Sequence, residues 1–190
     1  MSDNVALRLL KRRFTVEEYE RMGQAGILSE DDRVELIDGE IIEMPPIGSP
    51  HSAVTSRLAA LLARAVEHRA IFRIQDPIRL GVYSQPQPDV VLVKPRDDYY
   101  ASAHPGPEDV LLVAEVSDTT VDYDREVKIP LYARAGVRGV WIIDLATKEV
   151  EVFRRPYSGK YQTVSKARRG EVLSVETLPS VTLPVDQVLG

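Results

Sequence analysis

The run Val110-Leu111-Leu112-Val113-Ala114-Glu115-Val116 constrains the fold more than any other stretch. Its length and its β-branched, apolar content are those of a central strand buried on both faces. After it, "VDYDREVKIPLYARAG" reads as a helix ended by Gly136, and "GVWIID" as another buried strand. Pro130 must kink or shorten that helix, because it lacks an N–H and its ring crowds the preceding turn. Glu115 is the anomaly in the central strand. A carboxylate among such neighbours is costly to bury unless it is paired, protonated or bound to a metal.

The surrounding segments predict a single α/β domain over 1–190, with a mixed central sheet flanked by helices and extra antiparallel strands. A helical extension is expected within 1–30, where Thr15 and Glu18 form a capping box and Gly23 can end the helix. In "RVELIDGEIIEM" two strands flank Asp38-Gly39, a type I′ turn dipeptide. The main helix begins with Ser49 as N-cap and Pro50 as first helical residue, and it repeats apolar residues at Val54, Leu58, Leu61, Leu62 and Ala65. Short strands follow in "AIFRIQDPIRLGV" and "PDVVLV", then a long loop, "KPRDDYYASAHPGPED". The tail over 155–190 is strand-rich, with Ser158-Gly159 as a turn.

Composition limits the chemistry. The chain has no cysteine, and its three histidines, His51, His68 and His104, are not clustered, so any metal site should be built from carboxylate oxygens and suit magnesium, manganese or calcium. No apolar run approaches the roughly 20 residues of a membrane span. The opening "MSDNVALRLLKRRF" lacks a signal-peptide pattern, from which a cytoplasmic location is expected. The net charge of −5 argues against a protein that coats nucleic acid, while leaving a nuclease open. Local basic patches remain in "RLLKRR" (8–13), "KPR" (94–96) and "SKARR" (165–169). Tyr99 and Tyr100, beside Lys94 and Arg96, could stack on bases or simply form an exposed polar loop.

Asp89 opens the strand "PDVVLV" as Glu115 interrupts "VLLVAEV". On adjacent strands the two carboxylates would repel unless a proton or a divalent cation lay between them. At these residues a resemblance becomes specific. "QPDVVLV", "LLVAEVSDTTVDYDREVKIPLYARAGV" and "VWIIDL" resemble the Uma-two family of bacterial endonucleases, in the PD-(D/E)XK, restriction-endonuclease-like superfamily. The resemblance implies a restriction-endonuclease-like core and a Mg²⁺- or Mn²⁺-dependent endonuclease acting on nucleic acid, with DNA expected. It implies Asp89 and Glu115 as metal ligands. The motif lysine two residues beyond Glu115 is replaced by Ser117, and Lys128 on the following helix is the implied substitute. Glu35, His51, Gln87 and Asp124 are possible supporting residues.

Each residue has a plainer alternative. Asp89 could cap a turn, Lys128 could pair with Asp124 at i, i+4, Glu35 could face solvent from a hairpin strand, and His51 could lie in an exposed first helical turn. A homodimer would suit cleavage of two strands. The rival functions are a nuclease-like fold kept as a non-catalytic binding or assembly module and, more remotely, a carboxylate-pair glycosidase, for which an aromatic content of 6% is low. No G-x-S-x-G, P-loop or G-x-G-x-x-G motif is present to suggest other enzyme classes.

Overall fold

A computed structural model describes residues 11–29 and 31–190; Arg8, Leu9 and Leu10 of the first basic patch lie outside the described residues. Helix α1 (Val16–Gln24) carries the expected capping box, with Thr15 and Glu18 bonding reciprocally. It ends one residue beyond Gly23, and the left-handed glycine after it is Gly26. Strands β1 (Val34–Ile37) and β2 (Glu40–Glu43) form the hairpin, and its Asp38-Gly39 turn has positive φ at both residues, as type I′ requires. Helix α2 (Ser49–Val66) is capped by Gly48, so Ser49 is already helical and Pro50 takes the second position.

The central sheet joins β3 (Ile71–Ile74), β4 (Val90–Val93), β5 (Val110–Ser117), β6 (Gly139–Asp144), β7 (Glu149–Tyr157) and β8 (Lys160–Ala167), in that order. Only β5 and β6 are parallel. That parallel pair needs a crossover, supplied by α3 (Val121–Tyr123), a π-helical turn (Asp124–Lys128) and α4 (Ile129–Ala135). The π turn absorbs the distortion expected at Pro130: the proline falls in the first turn of α4, and the Ile129 N–H reaches five residues back to the Asp124 carbonyl. The 155–190 segment is no simple appendage. It begins inside β7, contributes β8 to the central sheet, and then forms a second sheet from β9 (Val172–Val175) and β10 (Leu178–Pro184) before α5 (Val185–Leu189).

Alternation along β5 divides two cores. Leu112, Ala114 and Val116 pack with Leu58 and Leu62 of α2 and with Leu183 of β10, whereas Val113 packs with Ile142, Leu131 and Tyr132 beneath α4. Glu115 and Ser117 share the parity of Val113 and therefore lie on the α4 side. Most of the fold's apolar burial is thus invested on both sides of the strand that carries the anomalous carboxylate.

Candidate active site

Asp89 stands one residue before β4, and continuing the Val90↔Ala114 register by one step sets it opposite Glu115. The Val116 N–H donates to Asp89 Oδ2 at 2.9 Å, and the Asp89 N–H donates to Glu115 Oε2 at 3.3 Å. Two carboxylates directly opposite on a sheet repel, so compensation must come from outside the strands. Lys128 supplies it, with Nζ 3.2 Å from Glu115 Oε1 and 3.4 Å from Glu35 Oε2. Tyr132 Oη also donates to Glu115 Oε1. Glu115, only 2% exposed, is therefore paired.

The crossover explains how the lysine gets there. The widened turn at Asp124–Lys128 lies over the end of β5, and both Asp124 and Lys128 are buried. Asp124 is not Lys128's partner among the described ion pairs; it accepts from Ser117 Oγ at 2.7 Å and from Thr120 Oγ1 at 3.1 Å. Ser117, fully buried, thus lies near the carboxylates as a ligand of Asp124. Glu35 is 1% exposed, contrary to a solvent-facing position, and accepts from the Gln87 N–H at 3.1 Å and from Tyr123 Oη at 3.2 Å. Gln87 therefore acts through its main chain. His51 is not an exposed first-turn residue either: its side chain is 15% exposed and its Nε2 lies 3.0 Å from Asp89 Oδ2. Gln75 Nε2 adds a longer contact to Asp89 Oδ1 at 3.4 Å.

The long 94–109 loop goes elsewhere. Tyr100 is buried with Arg96 stacked 4.3 Å from its ring centroid, and Arg96 is paired with Asp98, whereas Lys94 and Tyr99 stay exposed. Tyr123 and Tyr132 were not identified as site residues from the sequence. Lys128 and Tyr132 sit at i, i+4 on one helical face, a signal that could have found the latter; Tyr123 carries no such signal.

Electrostatics separates the two opposed carboxyls. Burial pushes the Glu115 carboxyl up to about 8, with Lys128 and Tyr132 opposing and Asp124 and Asp89 adding to the rise. Burial also acts to raise Asp89, but the His51 imidazole and the Val116 N–H outweigh it and hold Asp89 below the usual range. His51 rises in return, chiefly through its hydrogen bond to Asp89. Lys128 is buried, yet Glu115, Glu35, Asp124 and Asp89 keep it above the ordinary lysine range and hence charged. Asp124 is raised by its own burial.

This makes Glu115→Gln a test of stability against pH in metal-free buffer. The folded state binds a proton at Glu115 up to about 8, far above the ordinary value of 4.5. Its contribution is complete below that ordinary value and is lost as pH rises through 8, each unit in the window being worth up to about 1.4 kcal/mol. The melting temperature of Glu115→Gln, relative to wild type, should climb from pH 5 to pH 8 and then level off. A constant difference across that range would show that Glu115 keeps an ordinary affinity for its proton.

Asp89, Glu115, Glu35, Asp124, His51 and Lys128 all line one cavity of about 460 Å³. Among the described residues, no three histidine or acidic side chains are already arranged around a common metal position. Two carboxylates at an open cavity nonetheless fit a hard cation of the magnesium type, which keeps several waters and takes the rest of its shell from substrate phosphate. Six lining carboxyls, Glu35, Glu43, Asp89, Glu115, Asp118 and Asp124, against Lys128, Arg33 and His51 leave an excess of negative charge for such a cation to meet, even where Glu115 keeps its proton.

Over residues 16–186 the chain matches the family Uma2, described as "Putative restriction endonuclease". A solved structure from Anabaena variabilis, described as a "putative nuclease belonging to DUF820", superposes with a TM-score of 0.74 at 19% identity, covering 93% of this chain and 97% of that one. At that identity it shows a shared fold. No curated protein matches the chain.

Proposed function

This chain belongs to the Uma2 family, and from that premise we propose that it is a divalent-metal-dependent endonuclease hydrolysing phosphodiester bonds of DNA. The observation that carries the reading is the meeting of Asp89, Glu115 and Lys128 at one cavity, with the ammonium 3.2 Å from Glu115. Asp89 and Glu115 would hold the cation. Bound there, it would polarise the scissile phosphate and lower the pKa of a coordinated water. His51 fixes the Asp89 carboxylate, and Glu35 with Tyr123 fixes the lysine, so the groups are oriented before substrate arrives. Lys128 then offers a permanent positive charge where negative charge builds on the phosphate. Little else is required, because phosphoryl transfer depends mainly on positioning and charge stabilisation.

The test is cleavage of plasmid and oligonucleotide DNA by purified protein in Mg²⁺ or Mn²⁺. Cleavage should stop with a chelator and fall at least about a hundredfold in Asp89→Asn. Cleavage that survives the chelator, or an Asp89→Asn protein as active as wild type, would overturn the reading; a wild type that cuts nothing would favour the non-catalytic module.

A further inference from the structure

We infer that the cavity takes one unpaired nucleotide, so that the substrate is a single strand, an overhang or an unpaired end, and not continuous duplex; this rests on the nuclease reading above. The first observation is the lining. Besides its catalytic groups, the cavity is walled by Ile42, Met44, Pro45, Pro46 and Ile47 from the end of β2 and the chain leading to α2. A phosphodiester drawn to Lys128 brings its sugar and base into the same cavity, where an apolar wall suits the face of a base and offers nothing to a second phosphate backbone. Ile47 is 40% exposed, at the accessible part of that wall.

The second observation is charge. Glu43 and Asp118 also line the cavity and are exposed, while its basic residues are Arg33, which bonds the Pro45 carbonyl, and the buried Lys128. Duplex carries a phosphate charge about every 1.7 Å of axis and is normally held by clustered lysine and arginine. Most of the described residues in the basic patches are paired with nearby carboxylates, exposed Lys94 of 94–96 being the exception. Lys11 pairs with Glu40, Arg12 with Glu18 and Arg13 with Asp38. Lys166 and Arg168 pair with Glu149, and Arg169 with Asp186. A single strand presents fewer phosphates to the acidic lip and can turn one unstacked base against the apolar wall.

The experiment measures cleavage in Mg²⁺ and fluorescence anisotropy in Ca²⁺ for one labelled oligonucleotide, alone and annealed to its complement. The expected result is at least about a tenfold preference for the single strand in both, with a shallow salt dependence from the two basic groups at the cavity. Ile47→Glu, at an exposed position of that wall, should remove most of the preference. Duplex cut or bound as well as the single strand overturns this inference and leaves the nuclease reading standing, as does an Ile47→Glu protein that keeps the full preference. Single-strand binding with no cleavage of either form supports the inference and sinks the nuclease reading. A protein that neither binds nor cleaves either form overturns both.

Discussion

Lys128→Ala is expected to lose about a hundred- to a thousandfold in metal-dependent cleavage, the usual effect of removing a group that stabilises transition-state charge. It should also lose stability. The ammonium is buried between Glu115 and Glu35, and no other lysine or arginine is paired with either carboxylate among the described residues. Removing one member of a buried pair leaves an uncompensated charge at a cost of about 3 kcal/mol. Lowering the pH should recover part of that loss, because Glu115 then keeps its proton, and should not recover cleavage. Lys128→Met, which retains the aliphatic stem, separates charge from packing: the same catalytic loss with less structural loss is the expected pattern. Ser117 shares the Glu115 side of β5, so Ser117→Lys added to Lys128→Ala should return part of the cleavage. A Lys128→Ala protein that cuts at the wild-type rate would confine the lysine to balancing buried charge.

His51→Ala is expected to weaken Mn²⁺ binding by about 10- to 100-fold, the range for groups that orient a metal ligand from behind. His51 Nε2 is one of two short contacts on Asp89 Oδ2, the Val116 N–H being the other. Without the imidazole, the carboxylate loses the partner that most opposes its burial and gains freedom to rotate. Calorimetry on metal-free protein would measure this directly. An unchanged affinity would show that the Val116 N–H alone fixes Asp89.

The fold was legible where local chemistry and tertiary packing agree. The Thr15 capping box, the Asp38-Gly39 turn and the Ser158-Gly159 hairpin appear as the residues demand, because each is decided within a few residues. Asp89 and Glu115 could be singled out because one opens an apolar strand and the other interrupts one, and the antiparallel register sets them opposite one another. Lys128 required more. Nothing local tells a lysine at i+4 from Asp124 to turn inward, and the choice is made by the π turn ahead of Pro130 and by Glu35 arriving from a different hairpin. Glu35 itself was ambiguous because β1 is too short for alternation to identify its buried side, and the contact that buries it comes from residue 87, distant in sequence. Tyr100 misled for a similar reason: an aromatic in a polar loop reads as exposed until Arg96 is seen to cover it.

Whether Asp89 and Glu115 share one divalent cation beside Lys128 is decided by calorimetric titration of metal-free wild type and Glu115→Ala with Mn²⁺ at pH 8. Saturable binding of one Mn²⁺ by wild type and none by Glu115→Ala under the same conditions is the expected result. Binding of equal affinity and stoichiometry in the two proteins would contradict it and leave Glu115 as the buried partner of Lys128 alone.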